Sequence, residues 1–136
     1  MQDDHVEAIA AAWPAHAVAP EAVRAFLVHS VPEVDAWALR PLGAAGREPQ
    51  ILAVAGRHLY RIESADEGGR RGLRFVRLPL TDATVTLFEL SDQGTVLRRW
   101  TLRTSDEGMT VETVQTVDGE PPALERVMRL VLERSG

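Results

Sequence analysis

The spacing of apolar residues divides the chain into helical ends and a strand-rich middle. Near the start, Val6, Ile9, Ala10 and Trp13 fall at i, i+3, i+4 and i+7, which is one face of a helix. Asp4 with Glu7 has the spacing of a capping box, and Pro14 ends the segment. Pro20 and Glu21 suit the first turn of a second helix, whose stripe is Val23, Phe26 and Leu27 with Ser30 at its end. Two short helices, each apolar on one side only, are expected to cover a later sheet or a partner. Ser30 to Leu42 is ambiguous. Ser30 with Glu33 is a second capping-box spacing, which makes Val31 to Leu39 helical. Trp37 and Leu39 alternating with Ala38 and Arg40 suit a strand begun after Pro32, and the pattern leans towards that strand, ending near Pro41.

The centre of the chain is ILAVAGRHLYRIE, residues 51 to 63. Two apolar runs too short for helices flank a Gly-Arg pair, the signature of a tight antiparallel hairpin. Strand signals then recur at the spacing of a meander. SADEGGRRG reads as a turn leading into Leu73 to Leu80, and Thr81-Asp82 precedes a strand from Ala83 to Leu90. Ser91 to Gly94 turns the chain again. In the next strand Trp100 and Leu102 share one face, and the other face is read as cationic. Met109 to Val117 is the last strand. After Pro121 and Pro122, Leu124, Val127, Met128 and Val131 give a final helix its apolar face, which Leu130 and Leu132 widen. Glu125 and Arg129, at i and i+4, support a solvated opposite face. The expected fold class is α+β: an antiparallel barrel or meander of six to seven strands capped by a C-terminal helix, with two additional N-terminal helices.

Length and composition narrow this picture. A chain of 136 residues is expected to form a single domain with its own core. There is no cysteine, which excludes disulfides, thiolate metal sites and cysteine nucleophiles. No apolar run approaches the roughly 20 residues of a membrane-spanning helix, and MQDDHVEA lacks the basic start of a secretory signal. A soluble cytoplasmic protein is the expectation. All fifteen basic residues are arginine, within a net charge of −5. Charge is uneven: residues 51–103 hold nine arginines against six acids, whereas residues 1–50 and 104–136 each hold three against seven. A molecule of that balance lacks the broad basic field of a nucleic-acid binder, so any anion site must be local.

The middle of the chain resembles a known family. Bacterial PH-like and GRAM-like domains carry a hairpin of the form L-x-V-T-x-x-R-L-Y-R, and ILAVAGRHLYRIE is similar to it, with Ala55 in place of the threonine. LRFVRLPLTDATVTLFEL resembles the family's passage from one strand to the next, and Trp100 in RRWTLRT and the final helix follow in order. The resemblance covers about residues 35–134 and leaves residues 1–34 as a helical extension. It implies a non-catalytic binding module without a cofactor, engaging a protein partner, or alternatively an anionic lipid or phosphate headgroup. Phosphoinositide-binding members use basic residues around the first hairpin loop, where Arg40 and Arg47 would lie if residues 35–55 form that hairpin.

Read as residues alone, Arg57, Arg61, Arg70, Arg71, Arg74 and Arg77 form the strongest local feature. Guanidinium forks match phosphate or carboxylate oxygens, but Glu63, Asp66 and Glu67 are interleaved with them, and such mixtures on a surface usually serve solubility. The candidate binding set is therefore Arg40, Arg47, Arg57, Arg61, Arg70, Arg71 and Arg74, with Arg57, His58 and Arg61 expected in solvent. The four histidines are scattered, none at the spacing that sets two metal ligands on one helix face. No nucleophile elbow, phosphate loop or dinucleotide fingerprint occurs. Asp82 suits a turn cap, and Trp13, Trp37 and Trp100 suit core positions. A cystatin-like α+β enzyme or ligand carrier is a third reading, opposed by the helical rather than strand C-terminus. Homo-oligomerisation stays open.

Overall fold

A computed structural model describes residues 2–13, 20–31, 33–42, 48–105 and 107–136. The chain runs α1 (Gln2–Ala12), α2 (Pro20–Ser30), β1 (Ala36–Leu42), β2 (Glu48–Ala55), β3 (His58–Glu67), β4 (Arg70–Pro79), β5 (Thr84–Asp92), β6 (Thr95–Arg103), β7 (Gly108–Thr116) and α3 (Ala123–Arg134). The strands form two antiparallel sheets, β1-β2-β3-β4 and β5-β6-β7, each in chain order. Both sheets stay open; no barrel closes.

Two separate cores follow from this layering. One lies between the sheets and α3, where Leu52, Val54, Leu59, Leu80, Trp100, Leu102, Val127, Met128 and Val131 pack together. The other lies on the opposite face of the four-stranded sheet, where Ile51, Ala53, Ala55, Tyr60 and Ile62 meet Val6, Ile9, Trp13, Val23 and Leu27 from α1 and α2. β2 is thus covered on both faces, and all five residues from Ile51 to Ala55 are buried. A strand buried on both sides reads as a continuous apolar run, which is why ILAVA shows no alternation.

The N-terminal helices use the face that the periodicity assigns them, with Val6, Ile9, Ala10 and Trp13 all buried. Ser30 is exposed, and Val31 takes the place at the end of the α2 stripe. α1 begins at Gln2, so Asp4 lies inside its first turn and not at the cap. Phe26 stacks on Phe75 at 4.0 Å and meets Tyr60 edge-on at 6.5 Å, fixing α2 to β3 and β4.

The central hairpin forms as the Gly-Arg pair requires. Ala55 pairs with His58, and Gly56 adopts φ 60°, the positive angle a two-residue hairpin turn of the II′ type places on glycine. The next hairpin is longer than its composition suggests. Ser64 to Glu67 pair with Leu73 to Arg70, so most of SADEGGRRG is ladder and only Gly68-Gly69 turns. Their φ angles of 62° and 80° suit the primed turns that continue strand twist, so the backbone pairs on past the last apolar side chain.

Two expectations change at the side-chain level. Arg61 is not solvated; its side chain is 11% exposed and lies with Leu59 on the inner face of β3. Arg98 lies on the inner face of β6 with Trp100, as the alternation places it, and the outer face carries Arg99 and Arg103. Glu125, expected on the solvated side of α3, is 1% exposed.

Candidate functional site

The candidate arginines separate into groups. Arg57 is exposed in the β2–β3 turn. Arg40, Arg61 and Arg74 gather towards the other end of the four-stranded sheet. Arg40 donates to the side chain of Gln50 at 3.2 Å and to the backbone carbonyl of Thr110 at 3.0 Å, crossing from β1 to β7. Gln50 donates on to Glu63 at 2.9 Å. Arg61 lies 2.9 Å from Glu63, off hydrogen-bonding angle through its Nε, and donates through Nη2 to Glu107 at 2.8 Å. Arg74 reaches Glu63 and Glu67, both at 3.4 Å. This is an ionic clasp between the sheets. Burial, and then the nearby charge of Arg61, lower the pKa of Arg40 below the ordinary arginine value.

Arg71 pairs with Asp66 at 3.4 Å beside a cleft of about 320 Å³ that also exposes Glu63 and Arg74. Carboxylates and guanidiniums alternate there, which leaves little field for an anion. Arg70 is exposed near the hairpin tip, Arg77 is exposed on β4, and Arg47 lies outside the described residues. The seven candidates therefore do not form one basic surface.

Two features escape sequence reasoning. The first is the outer face of β5–β7. Leu90, Leu97 and Val114 lie directly opposite one another across the three strands, and Phe88 extends the row. Leu90 is 53%, Phe88 53%, Val114 62% and Val117 61% exposed. Arg99 holds Glu112 at 2.9 Å beside the patch and lies 5.8 Å from the Phe88 ring centre. Arg103 stands further along the same face. The sequence of β5 and β7 alternates, but alternation alone does not say whether anything covers a face.

The second is built on Glu125. Its Oε1 accepts from the Trp100 indole at 3.1 Å and the Thr113 hydroxyl at 2.9 Å, and its Oε2 accepts from Arg129 Nε at 2.7 Å. Arg98 Nη1 stands 3.6 Å away, and the Arg129 guanidinium lies 5.1 Å from the Trp100 ring centre. Above this carboxylate, a cleft of about 420 Å³ opens between α3 and the β6–β7 end of the small sheet, lined by Arg98, Arg126, Arg129 and Leu130 among others. The only available signal was position. Glu125 stands three residues before Met128, at the margin of the α3 stripe.

Among the described residues no helix is long and apolar enough to cross a membrane. Comparison with known proteins leaves the chain on its own: no family model, no curated protein and no solved structure matches it.

Proposed function

We propose that the chain is a PH-like, non-catalytic interaction module that binds a protein partner through the outer face of β5–β7. The observation that carries this is the uncovered apolar row Leu90, Leu97 and Val114 with Phe88. Contiguous apolar surface on an otherwise charged domain marks a contact site. The strand order, the terminal helix and the hairpin motif support the PH-like assignment. The N-terminal helices turn their apolar stripes inward onto the sheet, so they supply a buried layer and the small sheet supplies the contact surface.

The partner this face suits is apolar where it meets Leu90 and Val114 and acidic where it meets Arg103. An anionic lipid headgroup is the weaker reading. Arg61, Arg71 and Arg74 are engaged with carboxylates, and a net charge of −5 opposes a negatively charged membrane. With this module cytoplasmic, its partner is drawn from the same compartment.

The test compares three baits in affinity capture from the source lysate: wild type, Leu90→Glu with Val114→Glu, and Arg57→Ala. A protein retained by wild type and Arg57→Ala and lost from the face variant supports the reading. The same proteins on all three baits would overturn it. So would a chain that only self-associates through this face in light scattering, or one that sediments with anionic vesicles and loses binding in Arg57→Ala.

A further inference from the structure

We propose that the cleft between α3 and the β6–β7 end of the small sheet binds a small organic anion, a carboxylate or phosphate group carried on a short apolar body. This site is distinct from the outer face of β5–β7 and stands or falls separately from it.

Three guanidiniums line the cleft and differ in how firmly they are held. Arg98 is 16% exposed, with Nε donating to Glu89 at 2.6 Å and Nη1 to Gln115 at 2.9 Å. Gln115 is itself fixed by donating to the Gly119 carbonyl at 2.9 Å. Arg129 is held by Glu125 through Nε and by the Trp100 ring. Neither guanidinium is therefore free to swing away. Among the described residues no hydrogen bond engages Arg98 Nη2 or either Nη of Arg129. Arg126 is 61% exposed and, among the described residues, its side chain reaches Glu120 at 3.8 Å.

Buried Glu125 explains this arrangement. Both of its oxygens accept hydrogen bonds within the fold, and the one at Oε2 fixes Arg129. A group held in place by a buried, hydrogen-bonded neighbour loses little freedom on binding, which is how preorganised sites gain affinity. Guanidinium groups that line a cleft match the paired oxygens of carboxylate or phosphate. The wall is not purely polar, since Leu130 and Pro121 line it. A volume of about 420 Å³ accommodates a ligand of several heavy atoms and falls within the range of small-molecule sites.

The acids nearby set the expected charge dependence. Glu89 and Glu120 are 48% and 93% exposed in their side chains, so water and salt screen them. Glu125 and Glu133 both line the cleft; the charge of Glu125 is met by the Trp100 indole, the Thr113 hydroxyl and Arg129, whereas Glu133 opposes an anion directly. Removing its charge should tighten binding, whereas an uncharged ligand would not respond.

The experiment titrates the full chain with hexanoate, hexyl phosphate, inorganic phosphate and hexanol at low ionic strength, followed by backbone and arginine side-chain NMR signals. Saturable shifts at Arg98, Arg126, Arg129 and Leu130 are expected with hexanoate or hexyl phosphate, and not with hexanol. The stronger of the two identifies the headgroup, and inorganic phosphate separates the contribution of the anion from that of the apolar body. Arg126→Ala should weaken binding about fivefold and Glu133→Gln strengthen it about twofold, as expected for exposed charges. Arg126 and Glu133 make no core contacts, so both variants report on folded protein. Equal shifts with hexanol, no saturable shift with either organic anion, or an affinity indifferent to both substitutions would overturn the proposal.

Discussion

Glu125 shows how one side chain can reverse its expected role. In sequence it belongs to an i, i+4 pair with Arg129 of the kind that decorates exposed helices. That pair forms, at 2.7 Å, but with the carboxylate enclosed. A buried charge persists only when paired and fully hydrogen-bonded, and Trp100, Thr113 and Arg129 meet that condition. Glu125→Ala would strand an indole N–H, a hydroxyl and a guanidinium, and should cost about 3–5 kcal/mol in urea denaturation. Glu125→Gln keeps a carbonyl acceptor and should cost clearly less. Asp35 is the second residue with a checkable charge effect. Its pKa lies below the ordinary 3.8, first because Arg134 donates to it at 2.6 Å, against an opposing effect of burial. A lowered folded pKa contributes stability that is present above the unfolded value and lost as pH falls through the folded one. The stability difference between wild type and Asp35→Asn should therefore be constant near neutrality and shrink below about pH 4. Asp35 is partly exposed, so the difference is modest.

At the scale of elements, legibility depended on whether a signal was local. Helical periodicity found α1 and α2, and their buried residues match the stripe except at Ser30, because three- and four-residue spacing is a property of the helix itself. The Gly-Arg and Gly-Gly turns were equally local, though the strands around Gly68-Gly69 run further than the apolar residues do, since ladder hydrogen bonds need no apolar side chain. The β5–β6 turn gives a clean test of this logic. Gln93 has φ 47° and Gly94 φ 82°, a pair of positive angles that suit Asn-Gly better than Gln-Gly. Gln93→Asn should raise stability by about 0.5 kcal/mol with no change in the NMR signals of the core. At α1 and α2, the outer face of the four-stranded sheet carries Ile51, Ala53, Tyr60 and Ile62, all buried by the helices. Deleting residues 1–30 uncovers that face, and the shortened chain should aggregate on size-exclusion chromatography while the full chain stays soluble.

The whole molecule is held by contacts between distant parts of the chain. Arg40 to Thr110 and Arg61 to Glu107 tie the two open sheets together at the end opposite the β2–β3 turn. Glu107→Ala removes an acceptor of a largely buried arginine and should cost about 2–3 kcal/mol, with faster hydrogen exchange concentrated in the β6–β7 hairpin. Glu107→Gln should recover part of the loss. The same clasp explains why the candidate arginines do not act as one surface: three of them, Arg40, Arg61 and Arg74, are turned to internal partners.

The sequence by itself determined the order of elements outside the ambiguous Ser30 to Leu42 segment, the Gly56-Arg57 turn and the apolar stripes of the three helices, because each of these rests on residues within a few positions of one another. Only the tertiary structure decided that ILAVA is buried on both sides, that Arg61 and Glu125 are interior, and that Leu90, Leu97 and Val114 are left uncovered. These outcomes depend on which distant layer lies against each face. Period and composition describe one face of an element but do not say what meets it.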